Sequence, residues 1–221
     1  STAQSALEAA RMLGGDTLPE KVDDLLQRAA RRLEQATGMV KNLADLTRGG
    51  DLKEENLTTV NLNELLTRVA EGFGDLATGR SIDIEILLPD RPVKMKTSAG
   101  RVEAIAANII GNAVRYCREG KNVSVQLLDT GDVVHLIVED EGIGIAEEDQ
   151  EKIFEEFYRT TAAREATDLG TGLGLAIVKK YVADLGGRIE LHSDPGSGTT
   201  FTIVLPRRSR AQIPSAGEDG P

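Results

Sequence analysis

The sequence predicts an α+β protein in which a helical hairpin precedes a domain that mixes strands with helices. Apolar residues recur at helical spacing through the first 50 residues, whereas strand-like alternation begins only after residue 80. Short glycine-rich segments then separate the later elements. We therefore expect a helical region at 1–56, a mixed domain at 57–207 and, at 208–221, a disordered tail rich in proline, glycine, serine and charge.

Composition limits the function classes and the compartment. The 221 residues carry a formal charge of −10 with acids and bases interspersed, which argues against a general binder of nucleic acids or anionic membranes. Cys117 is the only cysteine, so no intrachain disulfide can form and a reducing cytosol is expected. No apolar run approaches the roughly 18 residues that a membrane span requires. We expect a cytoplasmic chain that meets a membrane only through segments absent from this sequence, as an interior part of a longer protein would.

Residues 1–50 are predicted to form two helices. The first ends at Gly14 and Gly15, which break its apolar spacing, and Thr17 with Glu20 matches a capping box at the start of the second. Apolar residues in the second helix alternate spacings of four and three, as in a heptad seam: Val22, Leu26, Ala29, Leu33, Ala36, Val40 and Leu43. Because a two-helix hairpin cannot bury both apolar faces alone, we expect a dimeric four-helix bundle. A hairpin packed on its own second domain is the alternative.

Beyond a polar hinge at 49–56, helical and strand-like patterns alternate. The predicted helices cover 62–73, 101–117 and 172–185, and the predicted strands cover 81–88, 123–128, 133–139, 188–192 and 199–205. The last two strands are expected to pair as a hairpin, since only a short turn-rich segment joins them.

Two asparagines lie on one face of the apolar helix at 101–117. Asn108 and Asn112 are four residues apart, so both carboxamides project from the same stripe. Amide oxygens suit Mg²⁺, which prefers oxygen ligands and shares them with substrate phosphates. Arg115 and Tyr116 follow, and they offer a cation for phosphate and a ring for a base or an apolar wall. The stripe indicates a metal–phosphate site, with capping or packing amides as the alternative.

The DEGIGI segment at 140–145 begins at the end of a predicted strand. Asp140 can accept a hydrogen bond from an exocyclic amine such as that of adenine. Gly142 and Gly144 would let the backbone approach a flat ring without an intervening side chain. An ordinary strand-to-loop turn is the alternative.

The GTGLGL segment at 170–175 opens the last predicted helix. Gly170, Gly172 and Gly174 expose backbone N–H groups, and a helix N-terminus favours phosphate. The segment is not the dinucleotide fingerprint GxGxxG, because its third glycine comes one residue early, and no GK[ST] follows as in a Walker P-loop.

The residues between these two glycine motifs are polar and contain few breakers. The segment at 154–169 is expected to be a mobile lid over a bound nucleotide. Arg159 and Arg164 within it could contact phosphates, and a solvated charged loop is the alternative.

Together these motifs resemble the catalytic and ATP-binding domain of sensor histidine kinases, within the gyrase–Hsp90–histidine kinase–MutL (Bergerat) superfamily. The resemblance rests on NIIGNAVRYC (108–117, N box), DEGIGI (140–145, first glycine box), FEEFY (154–158, F box), GTGLGL (170–175, second glycine box) and GSGT (196–199, third glycine element). It covers 57–207, and the segment 31–50, which ends in NLADLTRGG, resembles the second helix of the kinase dimerisation and phosphoacceptor domain. The family implies a Bergerat-type α/β sandwich, with a mixed sheet on one side and three helices on the other, that binds ATP and Mg²⁺ under the lid.

The resemblance also implies roles for individual residues. Asn108 and Asn112 would be the metal ligands and, with Arg115, the catalytic set. Asp140 would select adenine, and Thr199 would lie near the adenine pocket. The implied nucleotide-binding set is Asn108, Asn112, Arg115, Tyr116, Asp140, Gly142, Gly144, Ile145, Phe157, Arg159, Gly170, Thr171, Gly172, Leu173, Gly174, Leu175 and Thr199.

The position of Asn108 bears on the type of reaction. The ATP hydrolases of the superfamily place a general-base glutamate there, and without that base water is poorly activated, which favours phosphoryl transfer over hydrolysis. The family implies transfer to a histidine and onward to an aspartate of a response-regulator receiver domain, within a homodimer formed through residues 1–50. It also implies the cytoplasmic part of an inner-membrane sensor. Thr97 and Ser98 stand where the family often carries an aspartate.

The chain departs from the family at the phosphoacceptor. The family's acceptor histidine lies early in the first helix, but the only histidines here are His135 and His192, both in predicted strands and expected to be structural. Measured back from NLADLTRGG, the acceptor position falls at or just before Ser1. We favour a chain that begins after the acceptor, so that this fragment would not phosphorylate itself. A pseudokinase or scaffold that binds ATP and docks a regulator is the alternative, and an ATP-hydrolysing clamp is a third class.

Overall fold

The computed structural model describes residues 57–168 and 170–207, together with four helical positions before them, Val22, Leu26, Ala29 and Leu33. Within 57–207, residue 169 excepted, the chain forms five α-helices, two short 3₁₀ helices and seven strands. The helices are α1 (Leu62–Glu71), α2 (Gly74–Thr78), α3 (Ala99–Tyr116), α4 (Thr161–Ala166) and α5 (Gly174–Asp184), and the 3₁₀ helices are Glu147–Asp149 and Lys152–Phe154. The strands are β1 (Thr58–Asn61), β2 (Asp83–Leu87), β3 (Lys94–Thr97), β4 (Asn122–Asp129), β5 (Val133–Asp140), β6 (Arg188–Asp194) and β7 (Gly198–Pro206).

Five of the strands form one mixed sheet in the order β2-β4-β5-β7-β6. The β2–β4 pair is parallel and the other pairs are antiparallel, while β1 and β3 form a separate antiparallel pair. Side chains alternate between the two faces of a strand, so the register places one row of apolar residues across the sheet on the same face. That row consists of Ile86, Val125, Val138, Phe201 and Leu191.

The longer helices cover this apolar face. Helix α1 packs against β2, α3 against β4 and β5, and α5 against β6. Helix α3 lies in the middle of the layer, and its side chains Ile105, Ile109 and Val114 are at most 1 % exposed. The Ser98 hydroxyl accepts a hydrogen bond from the backbone N–H of Arg101 at 3.4 Å, which caps the start of α3. The apolar side chains of α3 therefore pack towards the sheet, and the side of the helix away from the sheet is available for polar side chains.

The predicted mixed sheet and its three covering helices are confirmed, and most predicted elements lie within two residues of those observed. Strands β1 and β3 were not predicted, because a run of four residues is too short for its alternation to stand out in the sequence. The segment predicted to be a mobile lid contains the short helix α4.

Except for the four helical positions given above, the predicted hairpin lies outside the described residues, as do its dimer and the tail at 208–221. Val22, Leu26, Ala29 and Leu33 are all helical, and Val22 and Leu33 are 38 % and 61 % exposed. In the part of the chain that the structure describes, no helix is long and apolar enough to cross a bilayer.

Candidate nucleotide site

A cavity of about 410 Å³ opens between α3, the end of β5, the segment that contains α4 and the start of α5. This volume falls within the range of about 300–1,000 Å³ typical of small-molecule sites. Its wall consists of Asn108, Asn112, Arg115, Tyr116, Asp140, Ile143, Gly144, Ile145, Ile153, Tyr158, Arg159, Thr160, Ala163, Gly170, Thr171, Gly172, Gly174, Leu175, Thr199 and Phe201.

Helix α3 presents Asn108 and Asn112 to the cavity from one stripe, as the spacing predicted. The amide nitrogen Nδ2 of Asn108 donates to the carbonyl oxygen of Ala104 at 2.8 Å. The amide oxygen Oδ1 of Asn108 therefore remains available as an acceptor towards the cavity. Gly174 lies directly opposite, since a Cβ there would stand 2.5 Å from Asn108 Oδ1. The glycine at the start of α5 thus allows this carboxamide oxygen to reach the cavity.

Arg115 is a half-buried cation on the same wall. Burial lowers the pKa of its guanidinium, and the charge of Arg159 contributes in the same direction, although Tyr116 opposes both. Its Nη1 donates to Asn112 Oδ1 over a long 3.3 Å. A cation whose charged form is disfavoured by burial and by a neighbouring cation is stabilised when an anion enters the cavity. This end of the cavity suits phosphate.

Asp140 is a buried carboxyl at the end of β5 and is 7 % exposed. Burial raises its pKa to about 7, although hydrogen bonds from the backbone N–H groups of Gly142 and Thr199 oppose the increase. The Gly142 N–H donates to Asp140 Oδ1 at 2.9 Å, which holds the carboxyl in place. The carboxyl is therefore a fixed acceptor on the cavity wall, suited to a ligand that donates from a planar amine.

The loop after Asp140 is held against the turn between β6 and β7. Gly144 has a φ of +69°, and a Cβ there would meet the carbonyl group of Asp194. The Ile145 N–H donates to Ser193 Oγ at 2.9 Å, and the Gly196 N–H donates to the Ile143 carbonyl at 2.8 Å. The first and third glycine motifs thus pack on each other, and this contact shapes the Asp140 end of the cavity.

The segment over the cavity is tied down at two points. The Tyr158 hydroxyl donates to Asp149 Oδ1 at 2.6 Å. Arg159 Nη2 donates to the carbonyls of Ala163 and Thr167 at 2.7 and 2.5 Å, and its Nη1 lies 3.5 Å from the Gly170 carbonyl. Arg159, predicted to bind phosphate, therefore also fastens α4 to the second glycine motif, and only its buried Nε lacks a hydrogen bond.

Three residues of the implied nucleotide-binding set lie off the cavity wall, and so does Arg164, which is exposed on α4. Gly142 bridges to Cys117 and contacts the Tyr116 carbonyl behind the wall. Leu173 is fully buried in the apolar core, and Phe157 points away with 56 % of its surface exposed. Phe157 has a φ of +64°, and its N–H donates to the Gly172 carbonyl at 3.0 Å, so the backbone turns its ring outward.

Six wall residues were not predicted: Ile143, Ile153, Tyr158, Thr160, Ala163 and Phe201. Ile143 and Tyr158 lie inside quoted motifs and could have been included from their position there. The others reach the wall through tertiary packing, as with Phe201, whose ring meets Phe154 edge-to-face at 6.4 Å. His135 and His192 lie on β5 and β6 as expected, and neither is on the cavity wall.

The donor set for Mg²⁺ would consist of amide oxygens. Within 57–207, residue 169 aside, no group of three or more histidine, cysteine or carboxylate side chains could hold a metal. Mg²⁺ commonly uses one or two protein oxygens and completes its shell with phosphates and water. Oδ1 of Asn108 and of Asn112, on the wall beside Arg115, fit that arrangement.

Comparison with known proteins agrees with this geometry. Residues 97–209 match the family described as histidine kinase-, DNA gyrase B- and HSP90-like ATPase. The chain belongs to this family. It is 32 % identical over 205 residues to the sensor-like histidine kinase SenX3 of Mycolicibacterium smegmatis, covering 92 % of this chain and 53 % of the relative. It is 40 % identical over 127 residues to the sensor histidine kinase WalK of Bacillus subtilis, covering 57 % of this chain and 21 % of the relative.

Solved structures of histidine kinases share the fold. Full-length ShkA in complex with AMPPNP superposes with a TM-score of 0.69 at 27 % identity, covering 86 % of this chain and 39 % of ShkA. The nucleotide-free catalytic domain of histidine kinase ThkA gives a TM-score of 0.61 at 27 % identity, covering 69 % of this chain and 97 % of that domain. The chain therefore contains the catalytic ATP-binding domain of a sensor histidine kinase of the two-component type. It spans about half the length of SenX3.

Proposed function

We propose that this chain binds ATP with Mg²⁺ and transfers the γ-phosphoryl group to a histidine of the dimerisation domain, from which it passes to a response-regulator aspartate. The observation that carries the proposal is a single cavity with a buried carboxyl, Asp140, and a half-buried cation, Arg115, on its wall. ATP offers both an amine-bearing planar base and an anionic chain. A buried carboxyl would repel a second anion, so the phosphates belong near Arg115.

Different residues on the cavity wall bind different parts of the nucleotide in this proposal. Asp140 accepts a hydrogen bond from the exocyclic amine of adenine, beside the turn at Gly144. Asn108 and Asn112 would hold Mg²⁺ by their amide oxygens, and Arg115 would stabilise phosphate charge. The magnesium ion, when bound, neutralises phosphate oxygens as charge moves to the leaving group.

In the transfer step a neutral histidine nitrogen attacks the γ-phosphorus, and the bond from that phosphorus to the β-bridging oxygen breaks. ADP leaves with the bond electrons, and the phosphoryl group is then passed to a carboxylate of the receiver domain. Asn108 supports transfer over hydrolysis because a carboxamide cannot accept the proton of an attacking water. Neither His135 nor His192 lies on the cavity wall, so the acceptor is assigned to a histidine outside this chain.

We also propose that residues 1–50 join two copies of the chain and that the receiver domain docks on this bundle. The heptad spacing supports this, as do the exposed apolar side chains of Val22 and Leu33. A cytoplasmic location is part of the same proposal.

The test supplies γ-labelled ATP, Mg²⁺ and a separate dimerisation domain that carries the acceptor histidine. Acid-labile label should move to that domain with wild-type chain and be lost with Asn108→Ala, while Lys96→Ala, on β3 away from the cavity, should behave as wild type. The chain alone should remain unlabelled.

Other outcomes identify the alternatives. ATP binding without transfer of label would favour the pseudokinase or scaffold. Steady release of inorganic phosphate by the chain alone would favour an ATP-driven clamp, and absence of ATP binding would refute the proposal.

A further inference from the structure

The C-terminal end of helix α3 is held by a residue from outside the sequence motifs. The last four carbonyl groups of a helix lack partners within it and must be satisfied in another way. Here the Ala113 carbonyl accepts from the Cys117 N–H at 2.8 Å, and the Tyr116 carbonyl accepts from the Ile143 N–H at 3.2 Å. The two carbonyls between them, of Val114 and Arg115, are bound by a side chain.

That side chain is Arg80, in the turn between α2 and β2. Its Nη1 donates to the carbonyls of Val114 and Arg115 at 2.7 and 2.6 Å, and its Nη2 donates to the carbonyl of Cys117 at 2.8 Å. A guanidinium can do this because its N–H groups form a fixed planar fork, whereas a lysine ammonium is a point donor. The positive charge also lies at the negative end of an 18-residue helix, where it is favourable.

Arg80 is itself fixed at its backbone. Its carbonyl accepts from the Gly120 N–H at 3.3 Å, so the same residue holds both the helix end and the loop that follows it. Ser81, the next residue, has a φ of +54°, which is uncommon outside glycine. The Ile82 N–H returns to the Ala77 carbonyl at 2.9 Å and closes the turn. The turn thus holds Arg80 beneath α3 with little freedom.

We propose that Arg80 is a positioning residue for the phosphate end of the nucleotide site, an inference that rests on the proposed function. It binds the carbonyl of Arg115 itself, and the side chain of Arg115 forms the cation on the cavity wall. Without the fork, the last turn of α3 has two unpaired carbonyls and frays, so Arg115 samples other directions. The Asp140 carboxyl is held by the Gly142 N–H and by the packing of the first glycine motif on the third. Gly142 and Ile143 also contact Cys117 and Tyr116 at the end of α3, so we expect the loss of Arg80 to disturb the phosphate end more than the Asp140 end.

The experiment compares MgATP with adenosine, which lacks phosphates, by titration calorimetry on the full chain. For Arg80→Met the Kd for MgATP should rise about tenfold while the Kd for adenosine changes less than twofold, since one charged donor set is removed. Arg80→Lys should fall between Arg80→Met and wild type. The matched control is Arg68→Met, which removes an exposed arginine paired at the surface with Glu103 at 3.5 Å and should leave both ligands unaffected.

Amide hydrogen exchange provides a readout that does not need ligand. Exchange should accelerate at residues 113–117 in Arg80→Met and Arg80→Lys and remain slow in the central strands β4 and β5. Equal loss of affinity for MgATP and adenosine, or unchanged exchange at 113–117, overturns the proposal. If Arg80→Met does not fold, both the affinity comparison and the hydrogen exchange are measured on Arg80→Lys instead. If the wild type does not bind MgATP, the proposed function fails, and the exchange experiment alone decides whether Arg80 holds the helix end.

Discussion

Replacing Asp140 with asparagine should separate stability from nucleotide binding in a way that depends on pH. The pKa of Asp140 is raised to about 7 from 3.8, chiefly by burial. That difference corresponds to about 4 kcal/mol, the free energy by which the folded state disfavours the ionised carboxyl at pH well above 7. Because Asp140 is only 7 % exposed, solvent screening does not reduce this value much.

The direction in which stability changes with pH follows from the protons that the folded and unfolded chains bind. Between pH 4 and 7 the folded chain retains a proton on Asp140 that the unfolded chain releases, so the free energy of unfolding falls as pH rises through this window. For one group the decrease is about 1.4 kcal/mol per pH unit. Asparagine is neutral throughout, so Asp140→Asn should match the wild type near pH 4 and become more stable above pH 7, by at most about 4 kcal/mol.

Nucleotide binding should change in the opposite direction. The Gly142 N–H binds Oδ1 of residue 140, so in Asp140→Asn the amide nitrogen faces the cavity and opposes the amine of adenine. The affinity for MgATP should therefore fall at least tenfold while the protein becomes more stable at pH 8.

The assays are urea unfolding at pH 5, 6, 7 and 8, and calorimetric titration with MgATP. Glu139→Gln is the matched control, because Glu139 is the adjacent exposed carboxylate on β5 and contributes least to the raised pKa of Asp140. A stability difference between Asp140→Asn and wild type that does not vary with pH would refute the assigned pKa. Retained affinity for MgATP would refute the assigned role in adenine binding.

Two further predictions test the positions that the structure gives to Phe157 and Cys117. Phe157→Ala should leave the Kd for MgATP within twofold of wild type, because Phe157 lies off the wall and is 56 % exposed; a tenfold loss measured by calorimetry would show that its ring reaches the nucleotide. Cys117 is buried and burial raises the pKa of its thiol, so an aromatic disulfide reagent at pH 8 should modify it only as fast as the chain unfolds, as absorbance would show. Rapid modification of the folded protein would contradict its position behind the first glycine motif.

Much of the fold was readable from local patterns. The helix at 101–117 and the hairpin of β6 and β7 follow from periodicity over contiguous residues, and the structure places both close to the predicted bounds. The two-stranded sheet of β1 and β3 was missed because its pairing joins Thr58 to Thr97, far apart in the chain. Local patterns do not report a partner at that distance.

Most of the residues that the motifs assigned to the site lie on the cavity wall. The sequence did not predict which way each side chain points or which residues pack behind it. Asn108 and Asn112 share a face because helix geometry is local. Phe157 lies in a quoted motif yet is exposed, and its backbone has a positive φ and packs against Gly172. A motif specifies which residue types are present, whereas direction depends on what packs behind them.

The quoted motifs and their order were sufficient for the resemblance to the family and for the class of ligand that it implies, since both can be read along the chain. The four-residue spacing of Asn108 and Asn112 was sufficient for the polar stripe on α3, because helix geometry is local. The pKa of Asp140 is raised chiefly by burial, which exists only after the chain has folded around the end of β5. Arg80 meets Val114 across 34 residues of sequence, and no pattern in either segment predicts the contact. Burial and long-range hydrogen bonds exist only in the folded chain. The pKa of Asp140 and the support of α3 by Arg80 are therefore decided by the tertiary structure.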